Sequence, residues 1–322
     1  MKVIAIAFSD LHLNDWAKHN QDNQRTLNHF RVLSIINDLC KKYKCPALFC
    51  GDMFHKADNM SQELSLLNQE YLAKLAFNCL AIEGNHDLHR VSTIKNPVHG
   101  WIHYFSKIYP FWLTDLSFSS YDMYPTTQLK IKVYGVPYID HNIGLNDYLK
   151  NLELEEGYKH ILLLHTDYPG AEDTDGRKVD SVENLNLNIL NRFDLVLCGH
   201  IHKPQRLSKK VYMVGAPLQQ RRTDKNCKLG FWLVYEDLSV KFKAFDKFPK
   251  FIDVESEDEI KDDGNYYTVV PKQKTSEQAS TNHKITKQLT KTKLAKRYLK
   301  EKGIKDEKKQ NLLIRTLKRA EE

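Results

Sequence analysis

An apolar, β-favouring run that ends abruptly in glycine and polar side chains recurs along this 322-residue sequence. The clearest example is residues 77–82, which lead through Glu83 into Gly84-Asn85-His86-Asp87. A continuous apolar run of this kind is typical of a strand buried on both faces of a sheet. We interpret Gly84 as a position of unusual backbone angles that allows a sharp turn. The amide, imidazole and carboxylate that follow would then project from the carboxyl end of the strand.

Four further runs follow the same design. They cover residues 2–8, 46–50, 160–165 and 193–198, and they lead into Asp10 and His12, Asp52, His165, and His200 and His202, respectively. Amphipathic helices are predicted over about residues 24–42 and 61–76, which gives the first three runs the order β-α-β-α-β. This order predicts an α/β fold whose strand ends carry the polar residues, at the edge where ligands bind in such folds.

Further elements are predicted downstream. Strands are expected at residues 129–136, 211–214, 230–235, 239–245 and 266–270, and helices at about 284–301 and 306–320. The aromatic-rich segment 101–118 receives no assignment, and residues 253–263 form an acidic patch. We divide the chain into a main domain over residues 1–250, a reduced capping region with a polar linker over 251–283, and a basic helical tail over 284–322.

The composition is that of a soluble, globular protein, with 41% hydrophobic and 28% charged residues. No apolar stretch approaches the length of a membrane span, and the run over residues 3–8 is too short for a signal peptide. The six cysteines form no C-x-x-C pair, and three of them lie in or beside predicted strands as small apolar side chains. We therefore expect a protein of the reducing cytoplasm with no membrane partner.

The net charge of +7 is distributed unevenly. Residues 283–322 contain 14 lysines and arginines and 5 acidic residues, a net charge of +9. Residues 1–282 contain 34 basic and 36 acidic residues, a net charge of −2. The basic character therefore belongs to the tail, and the nearly neutral body is unusual for a protein that binds DNA on its own.

Each polar residue at a strand end has an ordinary explanation when it is considered alone. A single histidine is usually a surface or satisfied core residue, and a single aspartate at a strand end usually caps the next helix. Here all five sets occur at equivalent positions, which favours one shared site. Carboxylate, amide and imidazole groups together suit manganese, iron or zinc better than calcium.

The order D-x-H, G-D, G-N-H-D, H and G-H-x-H resembles the calcineurin-like metallophosphoesterase superfamily, and the motifs span about 60% of the chain. The resemblance implies a four-layer α/β/β/α sandwich that holds two divalent metal ions. One ion would be bound by Asp10, His12, Asp52 and His202, and the other by Asp52, Asn85, His165 and His200, with Asp52 as the bridge. His165 is assigned as a metal ligand although no local motif surrounds it. His160, at the other end of the same predicted strand, is the poorer alternative for this ligand.

Gly51-Asp52-Met53-Phe54-His55 is similar to the G-D-x-F-H variant in the nuclease subunit of SbcCD-type ATPase–nuclease complexes. Residues 211–217 and 228–232 resemble another stretch of that family more loosely, because Val214 and Ala216 replace a proline and a serine. The short chain is most similar to versions encoded by large bacteriophages, which would act in the host cytoplasm.

This resemblance implies a DNA exonuclease and endonuclease that processes DNA ends in repair, recombination or replication. The expected cofactor is a pair of Mn²⁺ ions, with Mg²⁺ or another transition metal as the alternative. The expected partners are DNA, an SMC-like ATPase subunit of the SbcC type and a second copy of the chain in a homodimer.

The resemblance also assigns roles in hydrolysis to three further residues. Two metals would hold a bridging water and the phosphodiester for in-line attack. His86 would protonate the departing sugar oxygen, and Asp87 would orient or charge its ring, unless Asp87 only caps a helix. His55 would contact a non-bridging phosphate oxygen, unless it is an ordinary loop residue.

Basic residues near the motif loops are candidates for contacts with DNA phosphates, although isolated bases near loops are often only solvated. These candidates are Lys56, Arg90, Lys203, Arg221 and Arg222. In the tail, apolar residues at helical spacing include Leu289, Leu299, Leu312, Leu313 and Leu317. By analogy with the nuclease family, these leucines would dock on the ATPase subunit. The alternatives for the tail are DNA binding through charge and a solvated, partly disordered end.

Two other functions are compatible with the motifs. A metallophosphatase, a cyclic-nucleotide phosphodiesterase or a nucleotide pyrophosphatase would keep the metal site and change the substrate, but the G-D-x-F-H variant and the basic tail argue against this class. A binding subunit with a degenerate site is disfavoured because every expected ligand is present in the sequence.

Overall fold

The computed structural model describes residues 1–16, 20–180 and 182–270. The strands, in chain order, are β1 (Val3–Phe8), β2 (Ala47–Phe49), β3 (Cys79–Ala81), β4 (Leu113–Asp115), β5 (Ser119–Met123), β6 (Ile131–Val136), β7 (Lys159–His165), β8 (Leu195–Gly199), β9 (Gln205–Arg206), β10 (Val211–Met213), β11 (Gly230–Tyr235), β12 (Val240–Ala244), β13 (Phe251–Val254) and β14 (Tyr266–Val269). The α-helices are α1 (Gln24–Tyr43), α2 (Gln62–Leu72), α3 (Trp101–Ile108), α4 (Leu145–Asn151) and α5 (Leu187–Leu190).

These strands form two six-stranded sheets and one two-stranded sheet. Sheet 1 has the order β12-β11-β1-β2-β3-β4, in which β1 to β4 run parallel and β11 pairs antiparallel with both β1 and β12. Sheet 2 has the order β5-β6-β7-β8-β10-β9, with β6, β7, β8 and β10 parallel. The carboxyl ends of the parallel strands of each sheet therefore lie at one edge, as the sequence predicts.

Three apolar layers show how the sheets and helices stack. The middle layer contains Ile161 and Leu163 of β7 together with residues of sheet 1, so the two sheets pack face to face. The alternate residues Leu162 and Leu164 pack on the outer side, with residues of α4 and α5. The outer side of sheet 1 packs against α1, α2 and α3. Because successive side chains of a strand point to opposite faces, the apolar runs fill two layers at once. The predicted four-layer α/β/β/α sandwich is confirmed.

Local sequence explains where several helices begin and end. Ser61 caps α2, its hydroxyl accepting the N–H of Leu64 at 3.0 Å, as the Ser61 start signal predicts. Helix α1 ends at Lys44, whose φ of 52° is left-handed and whose N–H contacts the carbonyl oxygens of Cys40 and Lys41. The cap of α3 comes from a distant residue: Glu83 accepts the N–H groups of Gly100, Ile102 and His103.

The segment from β13 to β14 is attached to the body through a loop of the main sandwich. Asp253 accepts two hydrogen bonds from Arg222, at 2.7 and 3.0 Å, and also contacts Lys225. Arg222 and Lys225 belong to a 3-10 helix over Arg222–Asn226. The start of the predicted acidic patch overlaps a strand, β13, that was not predicted from the sequence. Among the described helices, none is both long and apolar enough to cross a membrane.

Candidate metal centre

Residues at the carboxyl ends of both sheets meet between the loops that follow these strands. Asp10 and His12 follow β1, Asp52 follows β2, Asn85 follows β3, His165 ends β7, and His200 and His202 follow β8. The structure thus brings all seven predicted ligands to one place, three strand ends contributing from sheet 1 and two from sheet 2. Six of the seven are histidine or aspartate, and Asn85 supplies an amide oxygen.

The first group contains Asp10, His12 and His202, whose ligand atoms lie within 4.8 Å of one another. The Nε2 atoms of His12 and His202 are 3.1 Å apart. Oδ2 of Asp52 lies 3.6 Å from Nε2 of His12, so the carboxylate borders this group. These are the four residues predicted to hold one ion.

The second group contains Asp52, His165 and His200, again with ligand atoms within 4.8 Å. Oδ2 of Asp52 is 3.3 Å from Nε2 of His165. Oδ1 of Asn85 lies 3.0 Å from Nε2 of His165 and 3.0 Å from Nδ1 of His200. One carboxylate oxygen of Asp52 therefore faces both groups, the position required of a bridging ligand.

The donor chemistry of the second group fits a cation. Nδ1 of His165 is 2.7 Å from the carbonyl oxygen of Cys50, which can only accept, so Nδ1 carries the proton. Nε2 then faces two oxygen acceptors, on Asp52 and Asn85. Because none of these three atoms supplies a proton while the ring is neutral, a positive charge is needed between them. Burial lowers the pKa of His165, but the attraction of Asp52 outweighs it and raises this pKa to about 9. A metal ion would supply the same charge with Nε2 as a ligand.

The backbone at the ligands has a rare conformation. The φ angles of Asp10, His12, Asp52 and His200 are 51°, 47°, 59° and 93°, in the region that favours glycine. Each such residue costs on the order of 1–3 kcal/mol, which the surrounding structure must offset. Part of that support comes from hydrogen bonds between the two ligand loops. The N–H groups of Asp10 and His12 donate to the carbonyl oxygens of Gly51 and Asp52.

Gly84 has a different role from the predicted one. Its φ lies outside the left-handed region, so the turn does not require glycine for its backbone angles. A Cβ atom at this position would instead lie 2.1 Å from Oδ1 of Asp52 and 2.3 Å from its backbone nitrogen. Gly84 is therefore required by the close approach of the strand end to the bridging carboxylate. Gly51, in contrast, does have a left-handed φ, of 94°.

Asp87 is also directed differently from the prediction that it orients His86. Its carboxylate accepts the N–H groups of Asp52, Phe54 and Gly84, at 2.9, 3.0 and 2.9 Å, and that of Met53 at 3.3 Å. The ring of His86 is held instead by the carbonyl oxygen of His55, 2.8 Å from Nδ1. Asp87 therefore supports the loop that carries Asp52.

His55 and His86 lie beside the first group. Their ring centroids are 4.8 Å apart, and Nδ1 of His55 is 3.4 Å from Nδ1 of His12. Burial, reinforced by His86, lowers the pKa of His55 to about 4, so its ring is neutral near pH 7. Both rings line the cavity described below, the location in which their predicted roles would be exercised.

Two carboxylates beside the ligands were not predicted. Asp167 Oδ1 lies 3.5 Å from Nε2 of His200, and Asp224 Oδ2 lies 3.8 Å from Nδ1 of His202. Asp224 is fully buried and accepts the hydroxyl of Thr174 at 2.7 Å. The H-x-D spacing of His165 and Asp167 was a signal available in the sequence. Asp224 has no local signal, because only the fold brings it to His202.

A cavity of about 490 Å³ opens onto both groups. Of the predicted DNA-contacting residues, only Arg221 lines it, whereas Lys203 pairs with Glu172 and Arg222 with Asp253. Lys56 and Arg90 are exposed outside its lining. Arg177 and Lys178, from the loop after β7, line the cavity and were missed because a loop of mixed charge gives no pattern. The predicted docking leucines lie outside the described residues.

Comparison with known proteins agrees with this geometry. The profile of the calcineurin-like phosphoesterase family matches residues 5–204. No curated protein sequence matches the chain. A crystal structure of a hypothetical protein from Thermus thermophilus is similar over 66% of this chain and 76% of that one, with 14% identity and a TM-score of 0.34.

A two-sheet sandwich with His/Asp groups at its strand ends defines a metal-dependent phosphoesterase. The family match covers more than half of the sequence and contains every predicted ligand. The chain belongs to the calcineurin-like phosphoesterase family.

Proposed function

We propose that the protein is a two-metal phosphodiesterase that acts on DNA, the exonuclease and endonuclease subunit of an SMC-like ATPase–nuclease complex that processes DNA ends. The observation that carries the proposal is the position of His55. This residue distinguishes the G-D-x-F-H variant, and its ring packs against both His12 and His86 in the cavity. A phosphodiester bound in the cavity would be expected to contact this residue.

The two groups described above would hold the ions, with Asp52 shared between them. The donor set of imidazole, carboxylate and amide suits manganese, iron or zinc better than calcium, and Mn²⁺ is the ion we propose from the resemblance. When bound, the ions supply Lewis-acid activation of water and neutralise charge on the phosphodiester.

The hydrogen bond to His86 fixes which of its ring atoms can transfer a proton. Nδ1 must donate to the carbonyl oxygen of His55, so Nε2 is the atom free to exchange a proton in the cavity. We assign to Nε2 the protonation of the departing sugar oxygen. His55, neutral near pH 7, would donate a hydrogen bond to a non-bridging phosphate oxygen.

Charged side chains in the cavity support an anionic polymer as substrate. Arg177, Lys178 and Arg221 line the cavity, and in this proposal they would contact phosphates next to the cleaved one. We keep the ATPase subunit and a second copy of the chain as proposed partners. Co-elution of the full chain with a candidate ATPase, lost on substitution of Leu312 and Leu313 by Asp, tests the role of the tail.

The experiment is cleavage of end-labelled linear duplex DNA by the purified protein with added Mn²⁺, with Asp52→Asn as the control. Degradation that is lost in the variant supports the proposal. Hydrolysis of a small phosphodiester without cleavage of DNA would point to another substrate of the same centre or to a missing partner. Repeating the assay with the ATPase subunit separates these two explanations. The added subunit should restore DNA cleavage only if its absence was the cause.

A further inference from the structure

The cavity at the metal centre has an aromatic wall that the proposed chemistry does not use. Trp16, in the loop after β1, lines the same cavity as His12, His55 and His86, and 36% of its surface is exposed. A tryptophan offers a large flat surface, and partial exposure of such a surface beside a site for phosphate esters favours a planar ligand group.

Several contacts fix Trp16 relative to the ligands. Its ring packs edge-on against His55, with centroids 4.3 Å apart and planes at 81°. The backbone N–H of Trp16 donates to Oδ1 of Asn14, whose side-chain amide donates to the carbonyl oxygen of His12 at 2.6 Å. The guanidinium of the buried Arg25 lies 5.6 Å from the indole centroid. The indole is therefore held one side chain away from the metal ligand His12.

Cationic residues reach the same cavity from other loops. Arg177 and Lys178 lie after β7 of sheet 2, and Arg221 lies before the 3-10 helix over Arg222–Asn226. Over residues 1–16, 20–180 and 182–270, the side chains of Arg177 and Lys178 form no ion pair with a carboxylate. A nucleotide combines a flat base with an anionic phosphate, so it matches the aromatic and the cationic residues together.

We propose that Trp16 forms a nucleobase subsite, on which the base next to the cleaved phosphodiester stacks. The proposal rests on the proposed nuclease function and identifies the part of the substrate that the cavity holds. A volume of about 490 Å³ is within the usual range for small ligands. A base that stacks on Trp16 must leave its partner and its stack, so we expect single strands and frayed ends to be the preferred substrates.

The test compares two strands of about 12 units, oligo-thymidylate and a strand of abasic tetrahydrofuran units with the same phosphodiester backbone. Neither the polarity nor the position of cleavage needs to be known, because every base is present in one strand and absent from the other. The readout is the ratio of kcat/KM for the two strands with Mn²⁺. We expect a ratio of about 10 for the wild type, about 1 for Trp16→Ala and an intermediate or wild-type ratio for Trp16→Phe.

The matched control is Phe111→Ala, which removes an exposed aromatic ring outside the cavity lining and should keep the wild-type ratio. A wild-type ratio near 1 overturns the subsite. Trp16→Ala that slows both strands equally and keeps the ratio also overturns it, since Trp16 would then act only by supporting His55. Failure of the wild type to cleave either strand or duplex DNA, both alone and with the ATPase subunit added, is a different result, which overturns the nuclease function itself.

Discussion

Four backbone N–H groups converge on the carboxylate of Asp87, whose residue is 1% exposed. Three of these groups belong to Asp52, Met53 and Phe54, so one buried side chain holds the loop with the bridging ligand. Removing a buried acceptor leaves its donors without partners, at a cost of about 1–3 kcal/mol for each group.

We therefore predict that Asp87→Ala lowers the free energy of unfolding by about 3 kcal/mol or more and weakens Mn²⁺ binding. Urea denaturation and metal analysis after gel filtration measure the two effects. Asp258→Ala, at an exposed position with no side-chain hydrogen bond or ion pair among the described residues, serves as the control. A stability within about 0.5 kcal/mol of the wild type would contradict the account of Asp87.

His86 contributes to the site through two separable parts. Its backbone N–H donates to Oδ1 of Asp52 at 2.8 Å, and its ring lines the cavity. We predict that His86→Asn keeps the metal content of the wild type and reduces hydrolysis by at least about 100-fold, because the backbone contact survives and the proton donor does not.

Turnover and metal content are to be measured on the same preparation. His89→Asn, which changes an exposed histidine three residues away, should keep both values. Loss of metal together with activity in His86→Asn would make the ring a structural part of the centre.

At the level of secondary-structure elements, α3 depends on a residue far from it in sequence. Its first N–H groups donate to Glu83, which lies 17 to 20 residues earlier and is fully buried. The helix has only eight residues, too few for stability on its own. Glu83 thereby joins the end of β3 to the start of α3.

Replacing Glu83 by Ala should expose α3 to opening and lower the free energy of unfolding by about 2 kcal/mol. Amide hydrogen exchange over residues 101–108 should rise more than exchange in α2. Glu70→Ala, on the exposed face of α2, is the matched change and should leave α3 protected. Unchanged exchange in α3 would show that packing alone stabilises the helix.

The contrast between α3 and the strands shows what the sequence could predict. Strand β1 (Val3–Phe8) is buried on both faces, so every position in it is apolar and the run is visible without knowledge of its partners. The start of α3 has no capping residue nearby in sequence. The acceptor for its first N–H groups is Glu83, which only the tertiary fold brings to this position. Segment 101–118 therefore gave no prediction, although it forms α3, β4 and a turn into β5.

The candidate site also contains residues that the local sequence predicts and residues that only the fold brings in. The seven predicted ligands lie at ends of apolar runs, which the chain order alone reveals. Asp224, in the 3-10 helix over Arg222–Asn226, and Arg177, in the loop after β7, reach the centre only through tertiary packing, so no spacing indicates them. Arg222 and Lys203 illustrate the converse, since proximity to a motif in sequence did not place either cation in the cavity.

For the molecule as a whole, the metal centre joins the two sheets. Asp52 belongs to the end of β2 in sheet 1, and His165 ends β7 in sheet 2, with 3.3 Å between their side chains. His165 also contacts the carbonyl oxygen of Cys50 across the same boundary. Any ligand that binds this arrangement and not the unfolded chain stabilises both halves together.

Mn²⁺ at about 100 times its dissociation constant should add about 2.7 kcal/mol to the free energy of unfolding and raise Tm by roughly 5–10 °C. Chelation with EDTA should reverse the shift, and Asp52→Asn should greatly reduce it. Differential scanning calorimetry measures these changes, with Asp258→Ala as the variant that keeps the full shift. A Tm that is insensitive to Mn²⁺ would contradict metal binding at this centre.

The order of strands also has a consequence for synthesis on the ribosome. The last ligand, His202, is followed by β11 (Gly230–Tyr235), which completes the neighbourhood of β1 in sheet 1. A nascent chain shorter than about 235 residues thus carries Asp10 and His12 on a strand that lacks one of its two neighbours. We therefore expect the ligands of the two groups to reach their final arrangement only after β11 has been synthesised.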